Sequence, residues 1–417
     1  MLASLLNVRT FLLAIFLIMA GSGFLSTLIA VRLEAAGASA LVIGLAATAY
    51  FTGLFAGSLT VSKLIGNVGH IRSFAAFVSV FSASSLAYAL HENAAIWLVL
   101  RFIDGLVIAG IYICLESWLN EKAEPANRSS VLAGYMVALY SGQAIGQFLL
   151  NLGEESPALP FMYSAILLSI AVLPVVLTKD VQPTIEDLKP LAVKKLYRIS
   201  PLGVVGVTAT GLMLGAFYAL GAVFIRRLGM DLSDVAFFTS CVIAGGVALQ
   251  WPLGMLSDRF DRRRVIVGTF VGAVLVCTAI VCSLDSRLLL FPLGALFGGM
   301  TFALYPLCVA HTNDHIEESE RVGATGGLVL AYSAGAMVGP VVGSIGIGSF
   351  GAGGLFGAIG LVALFVTAFG FWRLFIAQAV PAEDQQAFQN LPRTTPMATS
   401  QELELDDPGS SDETSPS

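Results

Sequence analysis

Charge is scarce in this chain. Only 12% of its 417 residues are Asp, Glu, Lys or Arg, against 56% that are hydrophobic, whereas a water-facing fold carries about 25% charged residues. The shortage excludes a soluble globular enzyme, and the apolar excess excludes an intrinsically disordered chain. Lipid is the solvent that this composition fits. Cysteine is also rare: Cys114, Cys241, Cys277, Cys282 and Cys308 fall within or at the ends of apolar stretches and read as small packing residues, not as a disulfide scaffold. Basic clusters are missing apart from Arg262, Arg263 and Arg264, and the net charge is -6, so nucleic acid is excluded as a main partner. There is no G-x-S-x-G elbow, no G-x-x-x-x-G-K-[ST] phosphate loop and no extramembrane segment large enough for an ATPase. The chain is therefore expected to be neither an enzyme nor an ATP-driven pump. His311 and His315 flank Asp314 at helical spacing, but without the H-E-x-x-H glutamate they make no metal site, and no metal or cofactor is expected.

What is present is a series of apolar stretches, each near the roughly 20 residues that a bilayer core requires. They fall near 10–31, 40–62, 73–90, 95–119, 129–152, 158–178, 201–225, 232–256, 264–283, 287–311, 322–347 and 352–376. None alternates with period two, so a barrel is excluded and an all-α membrane protein of about twelve helices is expected. The first stretch is too long for a signal-peptide core and reads as a retained helix. Short loops rich in Lys and Arg stay on the cytoplasmic side. Counting alternate loops places 17 of the 22 basic residues on the side of the N-terminus, four on the other and Arg101 inside a span. Both termini are thus expected in the cytoplasm, and the chain in the inner (plasma) membrane.

The longest polar connection within the spans, 179–200, divides them six and six, which predicts an N-terminal bundle over 1–178 and a C-terminal bundle over 201–378. The halves echo one another at an offset of 192 or 193: Gly23, Ala30, Val31 and Gly37 match Gly215, Ala222, Val223 and Gly229, and Gly142 and Gly146 match Gly335 and Gly339. An even-numbered repeat keeps its orientation, so the two bundles are pseudo-symmetric about an axis along the membrane normal. Residues 379–417 turn to Pro, Ser, Thr, Asp and Glu and read as a disordered cytoplasmic tail. Eight acids and one Arg give the tail a net charge of -7, which leaves the rest of the chain near +1.

One loop carries a recognisable pattern: Gly254-Met-Leu-Ser-Asp258-Arg259-Phe-Asp-Arg262-Arg263. It resembles the G-x-L-x-D-R-x-G-R-R signature of the major facilitator superfamily, departing from it at Asp261. In the first half Gly57 and Leu59 fit the same signature, while Val61 stands where Asp is expected. The resemblance implies a transporter fold and a cytoplasmic latch between the halves built on Gly254, Asp258, Arg259, Arg262 and Arg263; a plain topology anchor is the alternative. Arg101-Phe-Ile-Asp104-Gly105 is similar to the family's fourth-helix R-x-x-x-G. Glu116-Ser-Trp118-Leu-Asn120 and Tyr305-Pro306 resemble one bacterial branch of the superfamily.

An ionisable residue within lipid costs a few kcal/mol unless it meets a partner or a watery cavity. Arg101 and Asp104, three apart, share one helix face and can pair. The pair reads either as a proton-coupling site or as a structural ion pair, and Glu116 on the same broad face is a second candidate. Gln143, Gln147 and Asn151 form a polar stripe that lines a cavity or bonds between helices. With Tyr140, Tyr218, Gln250, Trp251, Tyr305 and Tyr332, the two glutamines make the expected cavity wall for a small organic molecule. The function expected is secondary transport by alternating access, coupled to protons or another ion, by a monomer embedded in the bilayer. The competing reading is a transporter-like sensor or scaffold that signals through its tail.

Overall fold

The computed structural model describes residues 8–123, 128–178 and 190–376, together with Gln385 and Phe388. The acidic residues of the tail and positions 179–189 of the central connection lie outside the described residues. Among those described, the chain is helical and contains no strand. The first span is split by Gly23 and Phe24 into α1 (Arg9–Ser22) and α2 (Leu25–Ala35). It is followed by α3 (Ala40–Val68), α4 (His70–Leu90), α5 (Ala94–Lys122), α6 (Arg128–Gly146) with a 3-10 extension over Gln147–Gly153, and α7 (Leu159–Val176). A short α8 (Val193–Ile199) leads into α9 (Pro201–Arg227), α10 (Leu232–Arg259), α11 (Arg262–Cys282), α12 (Arg287–Asn313), α13 (Arg321–Phe350) and α14 (Gly354–Ile376).

Eleven of these spans are long and apolar enough to cross a membrane, with α1 and α2 counted as one. The twelfth element is α6 with its 3-10 extension, packed against α1 and α10. Tyr135, Tyr140 and Gln143 make it more polar than its neighbours. Continuous helix is what lipid demands, since every backbone N–H must be satisfied inside its own segment. Where helices begin in polar loops, side chains cap them: Ser39 on α3, Asn93 on α5, and Asp231 with Asp234 as a reciprocal box on α10.

Close helix contact rests on glycine, and it is repeated between the halves. A Cβ on Gly53 or Gly105 would overlap the carbonyl of Phe102 or Tyr50, locking α3 against α5; Gly245 and Gly298 meet the carbonyls of Ala295 and Val242 in the same way between α10 and α12. Likewise Gly142 and Gly146 meet Phe16 and Ala20, as Gly335 and Gly339 meet Thr208 and Leu212. Each pair is offset by 192 or 193 residues, so the small residues at these positions serve packing.

The helix ends correct one register. α4 starts at His70 and α11 at Arg262, an offset of 192. Gly66, not Val61, therefore stands opposite Asp258, and Gly57 packs on Leu106 and Ala109 of α5 instead of opening a signature loop. We call the end of the molecule that carries the 260–264 loop the basic face. At the opposite face the halves are joined by Arg227 Nε–Glu34 Oε1 at 2.7 Å, Thr48 Oγ1 to the Met337 carbonyl at 3.0 Å and Ser240 Oγ to the Ala144 carbonyl at 2.9 Å.

Candidate functional site

Between the halves, at mid-depth, lies a cavity of about 150 Å³. Its wall draws on α1 and α2 (Met19, Ser22, Ser26), α3 (Tyr50, Phe51, Leu54), α5 (Arg101, Tyr112), α6 (Met136, Tyr140, Gln143), α9 (Tyr218) and α13 (Tyr332). Among the described residues, five tyrosines and one cation face it, and no acid does. A larger groove of about 1030 Å³, between α9, α13 and α14, is lined among the described residues by apolar side chains and Thr208. That groove offers nothing to orient a ligand, and the smaller cavity is the candidate site.

Arg101 is held there from three sides. Its Nη2 donates to Ser26 Oγ at 2.6 Å, its guanidinium lies 4.2 Å above the Tyr50 ring, and its Nη1 is 3.7 Å from Asp104 Oδ2. Asp104 does not face the cavity. It is fully buried one turn behind Arg101, where the Tyr88 hydroxyl donates to Oδ2 at 2.6 Å. Tyr88 is fixed in turn by a stacked Phe161 and an edge-on Trp97, with ring centroids 5.7 and 5.6 Å away. Burial of both charges favours this pairing, since either alone would cost several kcal/mol. Glu116 lies further along α5 toward the basic face, buried, and accepts from the Tyr135 hydroxyl at 2.9 Å.

The expected wall residues separate into four outcomes. Tyr140, Gln143, Tyr218 and Tyr332 line the cavity. Tyr305 is buried behind it, edge-on to Tyr332 at 5.4 Å. Gln147 and Gln250 are spent on backbone: Gln147 donates to the Gly23 carbonyl at 3.2 Å and Gln250 to the Phe302 carbonyl at 3.3 Å. Trp251 is 68% exposed and does not reach the cavity, because its neighbour Gln250 takes the inward direction and adjacent helical residues point about 100° apart. Asn151, the third member of the polar stripe, meets Ser233 Oγ at 3.3 Å across the halves.

The latch is also differently built. Arg262 Nη1 donates to both oxygens of Asp314, at 2.8 and 2.7 Å, and Nη2 donates to Asp258 Oδ1 at 3.1 Å. Arg263 pairs with Asp261, while Arg259 is exposed. Among the described residues, these contacts close the cluster among α10, α11 and α12 of the second half. Gly254 is covered by the Phe388 ring, whose backbone N–H donates to Asp258 Oδ1 at 2.9 Å. The sequence did not point to Asp314, Ser26, Tyr50 or Tyr88 as partners. Each is distant in sequence from the charge it holds, and only the helix packing brings them together. Among the described residues, no three His, Cys, Asp or Glu side chains converge on a point.

Residues 11–248 and 203–403 match the Major Facilitator Superfamily. An uncharacterised transporter of that type from Enterobacter sp. strain 638 is 31% identical over 303 residues, 72% of this chain and 78% of its own length. The similar YcaD of Salmonella enteritidis is 30% identical over 321 residues, 76% and 82% of the two chains. Among solved structures, the nucleoside transporter NupG superposes with a TM-score of 0.75 at 12% identity, covering 89% of this chain and 99% of that one. A D-xylose–proton symporter gives 0.66 at 13% identity, covering 88% and 96%. At such identities the superpositions speak for the fold alone.

Proposed function

Since this chain belongs to the major facilitator superfamily, and is thus a multi-pass membrane transporter and not an enzyme, we propose that it carries a small organic molecule through the cavity between its halves by alternating access, coupled to protons. The observation that carries this reading is the Arg101–Asp104 pair: a charge on the cavity wall with an acid directly behind it. Protonation of Asp104 removes the counter-charge from Arg101, which is then free to bind a ligand group or to release it. Tyr88 keeps Asp104 in place in either state through its hydroxyl, which both donates and accepts. Glu116 is the second candidate for coupling. The 1–178 and 201–378 bundles would be the rocking bodies, the basic face would be cytoplasmic in the inner membrane, and the protein would act as a monomer.

The test compares cells overproducing the wild type with cells overproducing Asp104→Asn at equal membrane level. Untargeted mass spectrometry is run with and without a protonophore. At least one metabolite should shift with the wild type in a protonophore-sensitive way and not with the variant; the same shift with Asp104→Asn would overturn coupling at this residue. One contact favours the sensor reading, the Phe388 ring on Gly254 with its N–H on Asp258. Deleting 379–417 separates the two, since a transporter keeps its flux without the tail.

A further inference from the structure

We propose that the cavity selects a small planar monoanion, a carboxylate carried on a single aromatic or similarly flat skeleton. The inference rests on the transport reading of the cavity and names its substrate class. Arg101 is the only charged side chain in the wall among the described residues, 2% exposed, and it lies at the cavity. Its counter-ion stands behind the wall at 3.7 Å, too far for a hydrogen bond, and the Tyr88 hydroxyl already occupies the facing oxygen of that carboxylate at 2.6 Å. Of the five guanidinium N–H groups, one makes a hydrogen bond among the described residues, to Ser26. A buried fork of donors with so few acceptors matches the two oxygens of a carboxylate, and it would repel an ammonium group.

Size and wall chemistry fix the rest of the molecule. A cavity of about 150 Å³ holds one benzene-sized ring. Tyr50, whose ring centroid lies 4.2 Å from the guanidinium, and Tyr140, Tyr218 and Tyr332 from both halves supply aromatic faces and hydroxyls around that ring. Because Tyr218 and Tyr332 come from the second half and Arg101 from the first, a ligand bound this way would touch both bodies that must move. A bulky or multiply charged molecule fits neither the volume nor the single cation.

The experiment uses the full-length protein in detergent and three probes that share one phenyl ring and carry a negative, neutral or positive substituent: benzoate, benzamide and benzylamine, titrated by isothermal calorimetry. Benzoate should bind at least tenfold more tightly than benzamide, with no saturable binding of benzylamine. Arg101→Gln should abolish the difference between benzoate and benzamide, while Ser26→Ala, which keeps the cation, should preserve it. The wild-type ranking decides the matter even if Arg101→Gln fails to fold. Benzoate less than tenfold tighter than benzamide, saturable binding of benzylamine, or no saturation by any of the three would overturn the anion site. In proteoliposomes the two readings part. Benzoate that binds in this order but never crosses the membrane leaves the anion site standing and sinks transport through it. A gradient-driven flux of benzamide or benzylamine in preference to benzoate keeps transport and sinks the anion site.

Discussion

Arg262 Nη1 donates to both carboxylate oxygens of Asp314, each side chain 1% exposed, at the foot of α11 and α12. Breaking a buried pair from one side costs up to about 3–5 kcal/mol, less for Asp314→Asn because Asp258 stays on Arg262 at 3.1 Å, whereas an apolar pair of similar volume is often neutral. Asp314→Asn or Arg262→Gln should therefore sharply lower the thermal unfolding temperature in detergent. The double variant Arg262→Met with Asp314→Leu should recover most of the loss. Equal losses in the single and double variants would mean that the pair is not what holds these helices.

Asp261 stands where the superfamily signature has Gly, and it caps α11 by accepting from the Arg263 N–H at 3.1 Å. Partial burial pushes its pKa up, but the hydrogen bonds and charge of Arg263, with help from Arg264, prevail and hold it below the ordinary carboxylate value. A depressed pKa means stability that is present above the unfolded-state value near 3.9 and lost as pH falls through the lower folded value. The cap should thus be insensitive to pH from neutrality down to about 5 and weaken below it. Asp261→Ala should cost about 0.5–2 kcal/mol and Asp261→Gly only a few tenths, because Gly is tolerated at a cap. Denaturant titrations of the three proteins at pH 7 check the order.

Much of the fold was legible because lipid imposes one rule on every span, and the positions of apolar runs and of Gly142, Gly146, Gly335 and Gly339 obey it. The site was legible where one helix face decides, as with Arg101 and Asp104 at i and i+3. It was not legible where a partner comes from elsewhere: nothing in the spacing ties Asp314 to Arg262, 52 residues away, or Tyr88 to Asp104. Two local rules also misled. Gln143 and Gln147 share a face only while the helix stays α, and the turn tightens to 3-10 at Gln147. Glycines recur along α3, so Gly57 imitates the start of a signature that the helix ends place five residues later, at Ser62 opposite Gly254.

Gly105 and Gly298 occupy equivalent places, each where a Cβ would overlap a carbonyl of the partner helix. Any larger residue must push α3 from α5, or α10 from α12, and overpacking of this kind costs about 1–3 kcal/mol or more. Gly105→Val should also displace Arg101, four residues before it on the cavity wall. Gly298→Val should destabilise the protein without altering ligand selectivity. Unfolding temperatures, together with the ratio of benzoate to benzamide affinity, distinguish the two effects. Selectivity unchanged in both would place Arg101 outside recognition.

The ion pair between Glu34 and Arg227 joins the halves at the face opposite the basic loops, and it is partly exposed, at 21% and 31%. An exposed pair contributes about 0.2–1 kcal/mol. Glu34→Gln should therefore bias the two halves apart at that face by at most about fivefold in population, since the Thr48–Met337 and Ser240–Ala144 hydrogen bonds persist. Spin labels at Ala36→Cys and Met230→Cys, with Cys241 and Cys282 replaced by Ser, report the separation by double electron–electron resonance. The variant should show a larger long-distance fraction than the parent. High salt should reproduce that change in the parent and add nothing to the variant, because screening acts only on a pair that exists. A salt response of equal size in both proteins would mean that charges other than Glu34 and Arg227 hold this face closed.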